Sequence, residues 1–588
     1  MNIKLLEYLK RYEFSPSKYQ SFFTSIKSED FDTQTPYLIE IDHFCTRFEQ
    51  ALNNNDKICI YSDYDADAIT ATATMYWGLI LLGFNQDNIT FYAPDRFTEG
   101  YGINPEAITR LSKVNDLIIS VDCGINSVIE ANICLDSRAD LIITDHHVLS
   151  GTIPQALAVI NPRLTEEYQK NFLARRMRES TFEKYFPAQD FKMTSSDDYV
   201  SPSICGVGVA WFCLLYLANH LDKNPNLLNL LLPFVAIGTI ADCQSIRDNQ
   251  NRLLVKAGLK MFPQAMARFV GLKELVTQSN LLEKIELNIL SSQDLGFTLA
   301  PILNAAGRID HANLAINLLC SGNQKEALVF TQEIIAINQS RKQLVKDAVE
   351  NSSFEDFTYE PLVFMITDYS KGIVGLIASR MCDRYNKVSV VISQDKLGYA
   401  SASLRAPKGY NVVEIMKKIK PKLLLKFGGH PEAAGFSCNN DDCEEIKDEF
   451  IRILKGYTPS VDVPKNYIPS SLNLSGFNKK NTIYLEPSEF NDSIFNDVSQ
   501  LEPFGQDFSM PKFLMKISNY ETVIVGKLQN HLKIIINNNS IMCFGISEAD
   551  KARLINNEEV YVLFRLSKNI FQYNISNQLT MESIEPVE

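Results

Sequence analysis

At 588 residues the chain is long enough for about three or four domains, and its 45% apolar and 22% charged residues are ordinary for soluble globular protein. The net charge of −13 argues against a protein that coats nucleic acid indiscriminately, while leaving room for a local basic groove. Twelve scattered cysteines with no C-x-x-C pair suit a reducing cytoplasm, not a disulfide framework or a zinc site; the start Met1 to Glu7 has no signal-peptide pattern; and the longest apolar run, Leu227 to Ala241, is broken by Asn229, Pro233 and Gly238 and reads as core, not as a membrane span.

Residues 1–50 read as helical and charged, with nothing that suggests chemistry. From Lys57 a strand–helix alternation begins. Strand-like segments are Ile58–Tyr61, Ile89–Ala93, Leu117–Val121, Leu141–Thr144 and Ala156–Ile160. This pattern predicts a parallel sheet covered by helices, with ligands beyond the carboxyl ends of the strands. The first strand runs into Asp63-Tyr64-Asp65-Ala66-Asp67, and the apolar run Ile69 to Leu82 that follows reads as a helix. Three carboxylates so placed repel one another unless a multivalent cation neutralises them. A calcium loop does not fit, because its turn glycine would be Ala68 and its bidentate glutamate Thr74. Two more strands end in chemistry: Leu117–Val121 in Asp122, and Leu141–Thr144 in Asp145-His146-His147. The apolar run Phe234 to Ala241 ends in Asp242, which alone reads as a helix-end or turn residue. Carboxylate with imidazole suits Mn²⁺ or Mg²⁺. Several carboxylates converging on one pocket suggest two ions about 3.5–4 Å apart, which would activate water and clamp a phosphoryl group.

Residues 163–203 form a charged segment with Arg175, Arg176 and Arg178, read as a surface insertion. Residues 311–352 read as one or two long helices, including Lys325 to Asn351. A second α/β unit follows, with strands Leu362–Ile366 and Val388–Ile392 around a helix from Gly372 to Tyr385. Between Ala402 and His430 seven Lys or Arg face one acid, Glu414, which marks a local basic patch. Lys417, Lys418 and Lys420 fit the polar face of a helix, so Arg405 is the better phosphate candidate, because its fork can bind bidentately. The glycines of Phe427-Gly428-Gly429-His430 let backbone amides approach an anion closely. From about Asp462 the texture changes to short β-type runs: Phe513–Ile517, Thr522–Val525, Leu532–Ile536, Ser540–Phe544, Val560–Leu566 and Phe571–Ile575. These predict a small barrel of the OB type, with Phe504, Phe508, Phe513 and Tyr520 as possible base-stacking residues of which at least half read as core.

Asp63-Tyr64-Asp65-Ala66-Asp67, Asp122, Asp145-His146-His147 and Gly238-Thr239-Ile240-Ala241-Asp242 together resemble the four motifs of the DHH phosphoesterase family. Ala402-Ser403-Leu404-Arg405 and Phe427-Gly428-Gly429-His430-Pro431-Glu432-Ala433-Ala434-Gly435 resemble the DHH-associated domain, and Glu99-Gly100-Tyr101-Gly102-Ile103-Asn104, Gly206-Val207-Gly208-Val209-Ala210, Asn304-Ala305-Ala306-Gly307-Arg308-Ile309, Glu502-Pro503-Phe504-Gly505 and His531-Leu532-Lys533 narrow the resemblance to the RecJ group of single-strand exonucleases. The resemblance implies a multidomain α/β fold: a DHH catalytic domain with N-terminal helices (1–310), a connecting helix (311–352), a DHH-associated substrate-binding domain (353–460) and an OB-like domain (461–588). It implies Asp63, Asp65, Asp67, Asp122, His146 and Asp242 as ligands to two Mn²⁺ or Mg²⁺ ions, His147 as the group that positions phosphate, and Asp145 as the residue that orients the ligands. Asn304, Arg308, Ser403, Arg405, Gly428, Gly429 and His430 would touch DNA. The implied activity is 5′→3′ hydrolysis of single-stranded DNA to 5′-mononucleotides in recombination and repair, in the cytoplasm, beside single-strand-binding protein and a RecQ-type helicase.

Five positions depart from the family pattern. Ala68 stands in place of a usual glycine, Ser370 of histidine and Ala406 of serine, and Asp507-Phe508 replaces a usual Gly-Asn. None removes an expected ligand. Two other readings stay open: a DHH phosphodiesterase on short oligoribonucleotides, cyclic dinucleotides or polyphosphate, and a non-catalytic DNA-binding replication scaffold. Because all candidate ligands precede residue 243, a chain ending near Lys455 is expected to keep its metal site and lose strand capture.

Overall fold

The computed structural model describes residues 3–12, 38–96, 98–100, 102–164, 200–309, 312–351, 357, 360–459, 481–487, 489–490, 493–526, 529, 531–536, 539–571 and 573–587. The chain forms two compact units: residues 1–92, 102–300 and 464–588 make the first, and residues 93–101 and 301–463 the second. Most of the 163–203 segment, with Arg175, Arg176 and Arg178, lies outside the described residues, as does Tyr101.

In the first unit, β1 (Ile58–Ser62), β2 (Ile89–Tyr92), β3 (Leu117–Val121), β4 (Asp140–Thr144) and β5 (Ala158–Ile160) form one sheet in the order β2-β1-β3-β4-β5, with every pair parallel. All five residues of β1 and of β3 are buried, as expected of strands covered on both faces. The strand order reverses between β1 and β3, which opens a crevice at their carboxyl ends. Ser62 pairs with Val121 and Val121 with Thr144, so Asp63, Asp122 and Asp145 are the next residues on three neighbouring strands. The register of an apolar sheet thus brings together three carboxylates that lie far apart in sequence.

The helices Ala66–Leu81, Gly206–His220 and Leu232–Ala241 are apolar nearly all round and mutually buried. Packing is tight enough that a Cβ on Gly78 would lie 2.3 Å from Leu214 Cδ1. This rigid layer fixes the first turn of one helix and the ends of two others beside the strand termini. Among the described residues no helix is long and apolar enough to cross a membrane.

The second unit holds the helix Gln324–Asn351, expected from Lys325, and the sheet β6 (Val363–Thr367), β7 (Ser389–Gln394), β8 (Tyr399–Arg405), β9 (Lys426–His430) and β10 (Ala433–Asn439). Its order is β6-β7-β8-β10-β9; only β6 and β7 pair in parallel. The helix Val374–Tyr385 packs on this sheet through Val374, Ile377, Ala378 and Met381.

The C-terminal sheet is β11 (Thr482–Tyr484), β12 (Lys512–Ile517), β13 (Glu521–Val525), β14 (His531–Ile536), β15 (Asn539–Cys543), β16 (Val560–Phe571) and β17 (Asn574–Pro586) in the order β11-β12-β16-β17-β15-β14-β13. The expected strand Phe571–Ile575 is instead the connection of a long β16–β17 hairpin, in which Phe571 pairs with Asn574. β17 escaped notice because most of its residues are polar and exposed, so it carries no apolar run. This sheet belongs to the same compact unit as the parallel sheet. Lys4 reaches Tyr484 O (2.9 Å) and Glu489 Oε2 (2.5 Å), Arg11 donates to Thr482 O (2.6 Å), and the Tyr8 hydroxyl donates to Ser509 O.

Candidate metal centre

The triple-aspartate stretch divides its labour. Asp65 caps the helix Ala66–Leu81: its Oδ1 accepts from Asp67 N (2.9 Å) and Ala68 N (3.1 Å). Asp67, in the first turn, is 1% exposed. It faces the start of the helix Gly206–His220, where Gly206 N donates to its Oδ2 (2.7 Å) and Val207 N to its Oδ1 (2.9 Å). A helix amino terminus suits a carboxylate, since its free N–H groups and dipole both favour negative charge. Asp63 is buried directly after β1.

Asp122 leaves β3 in the left-handed conformation, φ +60°, which asparagine and aspartate tolerate better than most residues. A Cβ on Gly206 would lie 2.5 Å from both Asp122 Cβ and Oδ1, so glycine is required there. Asp145, after β4, spends its oxygens on orientation: Oδ1 accepts from His146 N (2.7 Å) and His147 N (3.0 Å) and meets His147 Nδ1 at 2.8 Å, while Oδ2 accepts from Ile125 N (2.9 Å). His146 Nε2 then points among carboxylates, 3.1 Å from Asp122 Oδ1, 3.6 Å from Asp242 Oδ2 and 3.9 Å from Asp67 Oδ2. Asp242 is the C-cap of the helix Leu232–Ala241 and accepts from Gln244 Nε2 at 2.5 Å.

Two groups of donors lie within 4.8 Å of one another: Asp67, His146 and Asp242, and Asp122, His146 and His147. They share His146. Asp63 and Asp65 fall outside both groups. Asp122 Oδ1 is buried and out of hydrogen-bond geometry with every donor among the described residues. A buried, unsatisfied carboxylate oxygen is costly unless a cation meets it. Oxygen donors with imidazole nitrogen fit Mn²⁺ or Mg²⁺.

The metal-free electrostatics agree. Burial, then the charges of Asp242 and Asp65, holds the Asp67 carboxyl well above its usual range; burial and neighbouring aspartates do the same for Asp122. Burial and Asp65 push Asp242 up to about 6. Burial and the adjacent His147 charge lower His146 to about 3, which leaves it neutral and able to donate a lone pair. Burial works against a charged His147, but the Asp145 hydrogen bond and the surrounding carboxylates outweigh it and raise His147 to about 9. The His147 side chain is 41% exposed, so a cationic imidazole stands at the rim of a carboxylate cluster.

The expected DNA-contacting residues all lie in the second unit. Asn304 and Arg308 are on the helix Ala300–Ile309, with Arg308 Nη1 3.4 Å from Gly372 O. Ser403 and Arg405 are on β8, and Gly428, Gly429 and His430 on the edge strand β9. Across β10, Ser403, Gly435 and Gly428 form one row, and Arg405, Ala433 and His430 the next on the same face. Ala433 and Gly435 keep the floor between them low. Arg405 Nη1 donates to Leu404 O (2.7 Å) and Ser403 Oγ (3.2 Å).

The four possible stacking aromatics are core instead. Phe504, Phe508, Phe513 and Tyr520 are all buried, and Phe508 packs on Tyr8 and Tyr12. Among the described residues, the exposed aromatics in the C-terminal sheet region are Phe544 and Tyr573. Sequence reading also missed Gln244 and the two amides of Gly206 and Val207. The Gly-x-Gly opening of an apolar helix was a visible signal for the latter; nothing local marks Gln244.

Residues 57–239 match the DHH family N-terminal domain, residues 360–456 the DHHA1 domain and residues 483–583 the RecJ OB domain. The chain is 29% identical to the single-stranded-DNA-specific exonuclease RecJ of Bacillus subtilis over 535 residues, which is 89% of this chain but 61% of that one. It is 29% identical to the protein of the same name from Escherichia coli K12, with 91% of this chain and 89% of that one covered. The structure of RecJ with Mn²⁺ from Thermus thermophilus superposes with a TM-score of 0.73 at 23% identity, covering 99% of this chain and 78% of that one. A crystal structure of exonuclease RecJ bound to manganese gives 0.57 at 26% identity, covering 72% of this chain and 97% of that one.

Proposed function

From a chain that belongs to the DHH phosphoesterase family, with the DHHA1 and OB domains of its RecJ group, we propose a metal-dependent exonuclease that degrades single-stranded DNA from the 5′ end to 5′-mononucleotides. The observation that carries this reading is the approach of Asp67, Asp122 and Asp242 to His146 Nε2, with a buried Asp122 oxygen that no donor among the described residues satisfies. Asp63, Asp65, Asp67, Asp122, His146 and Asp242 would hold two Mn²⁺ or Mg²⁺ ions. Such ions supply Lewis acidity and an activated water when bound.

The chain's own residues do the rest. Asp145 holds His147 by Nδ1 and by its backbone amide, so the cationic ring presents its other edge to a phosphodiester oxygen. Gly206 and Val207 fix both oxygens of Asp67. The row of Ser403, Arg405, Gly428 and His430, with Gly429 beside it and Asn304 and Arg308 on their helix, would bind the strand's backbone. We place the domain boundaries at 1–310, 311–352, 353–460 and 461–588. The protein would work in the cytoplasm in recombination and repair, with single-strand-binding protein and a RecQ-type helicase as partners.

The test is digestion of single-stranded DNA, duplex DNA and a short RNA, each with Mn²⁺ and with EDTA. Mn²⁺-dependent loss of single-stranded DNA alone is expected. Preference for the short RNA would favour an oligoribonucleotide phosphodiesterase, and no cleavage with intact DNA binding would favour a scaffold.

A further inference from the structure

Asp242 is the most exposed carboxylate of the two donor groups. It stands at a helix carboxyl end, where the dipole disfavours a carboxylate, and its side chain is 27% exposed. The chain then turns sharply through Cys243, φ +53°, into Gln244, Ser245 and Ile246. Cys243 N donates to Ile240 O and Gln244 N to Thr239 O within the turn, and a segment far along the chain braces its exit. Ser245 forms a parallel β-bridge with Gln506, and Ile246 N donates to Gln506 O at 3.0 Å. Gly505 lies so close that a Cβ there would be 2.8 Å from Ile246 Cγ1 and 3.6 Å from Ile240 Cδ1.

The segment carrying Gly505 and Gln506 is itself clamped. The buried Arg252 guanidinium donates to Leu501 O (2.5 Å), Pro503 O (2.9 Å) and Glu502 O (3.1 Å) and lies 5.1 Å from the Phe508 ring centre. Ser292 Oγ meets Phe504 O at 2.6 Å and accepts from Phe504 N at 3.1 Å. Asp507, at φ +58°, keeps the turn in a conformation that glycine would adopt freely. Phe508 beside it fills the space against Tyr8 and Tyr12.

We propose that the segment 501–508 is a latch by which the C-terminal β region positions Asp242, so that Gly505, Gln506 and Arg252 are positioning residues for metal binding. The latch acts through Ile246 and Ser245 on the turn whose Gln244 holds the Asp242 carboxylate. The C-terminal region thereby completes the metal centre as well as any surface it offers to a strand. This inference rests on the metal-centre reading above.

The test is Mn²⁺ titration of the full chain by calorimetry, with the melting temperature measured in EDTA to establish folding. Gly505→Ala drives a methyl into Ile246 and should weaken Mn²⁺ about tenfold, the range for residues that orient metal ligands. Gly505→Ala combined with Ile246→Ala removes the collision and should recover most of that loss. Arg252→Lys keeps the charge but cannot span three carbonyls, and should weaken Mn²⁺ as well. Folded Gly505→Ala and Arg252→Lys proteins that bind Mn²⁺ as the wild type does would overturn the latch alone. Wild-type protein that binds no Mn²⁺ would overturn the metal-centre reading and the latch with it.

Discussion

Gly206 leaves room for Asp122 and for nothing else: a Cβ on Gly206 would lie 2.5 Å from the Asp122 Oδ1. The same residue donates its amide to Asp67. One glycine therefore sets two of the donors. Gly206→Ala should leave a folded protein, cost about 1–3 kcal/mol of stability through overpacking, and displace Asp122. Mn²⁺ affinity and nuclease activity should fall together. Unchanged metal affinity in a folded Gly206→Ala protein would remove this role.

Asp122 itself offers a two-variant comparison. Asp122→Ala relieves carboxylate repulsion but leaves alanine at φ +60°, which costs about 1–2 kcal/mol. Asp122→Asn relieves the repulsion with a residue that tolerates this backbone. Both should be inactive, and the asparagine variant should melt higher in EDTA. Equal melting temperatures would mean that the left-handed turn is not under strain.

Metal-free stability should fall as pH rises from about 6.5 to about 9, carried by the last of the Glu502 contribution up to about 7 and by His147 beyond it, the Asp242 contribution being gone by about 6. Burial and Asp65 raise Asp242 from 3.8 to about 6, and burial raises Glu502 from 4.5 to about 7. Between the ordinary and the raised value the folded chain holds a proton that the unfolded chain has lost, so each contribution disappears as pH climbs to the raised value. His147, held at about 9 against burial by Asp145, adds stability below 6.5 that is lost on approach to 9. His146, lowered by burial to about 3, opposes this trend only below 6.5. Thermal melts in EDTA across that window should descend. Saturating Mn²⁺ should flatten or reverse the series, because metal and protons compete for the same carboxylates. A rising series in EDTA would contradict the described charge cluster.

Arg405 shares a row with His430 across β10 and is partly committed to Leu404 O and Ser403 Oγ. Arg405→Ala should weaken DNA binding by about 1.5–3 kcal/mol, and Arg405→Lys should restore only part, since the fork is lost. Fluorescence anisotropy on a 5′-phosphorylated strand checks this. Wild-type affinity in Arg405→Ala would move the phosphate contact elsewhere on the sheet.

The sequence was most legible where local pattern and tertiary structure coincide. Apolar runs ending in Asp63, Asp122 and Asp145 mark strands, and parallel register brings those ends together. Asp242 alone reads as a helix-end residue and is one; the motif resemblance made it a candidate ligand, and the fold puts its Oδ2 3.6 Å from His146 Nε2. Which of Phe504, Phe508, Phe513 and Tyr520 are core was not legible in a turn-rich stretch; contacts to Ser292, Arg252 and Tyr8 bury Phe504 and Phe508. Those contacts also bear on truncation. A chain ending near Lys455 would uncover Arg252, Tyr8 and Ile246, all buried in the intact chain, and should lose stability as well as strand capture.

One labelled single strand followed through time reports polarity and metal dependence together. With Mn²⁺, a 5′-labelled strand should give labelled mononucleotide from the first time point, while the same strand labelled at its 3′ end should shorten through a ladder. Asp122→Asn, folded and still able to bind the strand, should do neither. Early release of the 3′ label would contradict the proposed polarity, and digestion by Asp122→Asn at the wild-type rate would contradict the metal centre itself.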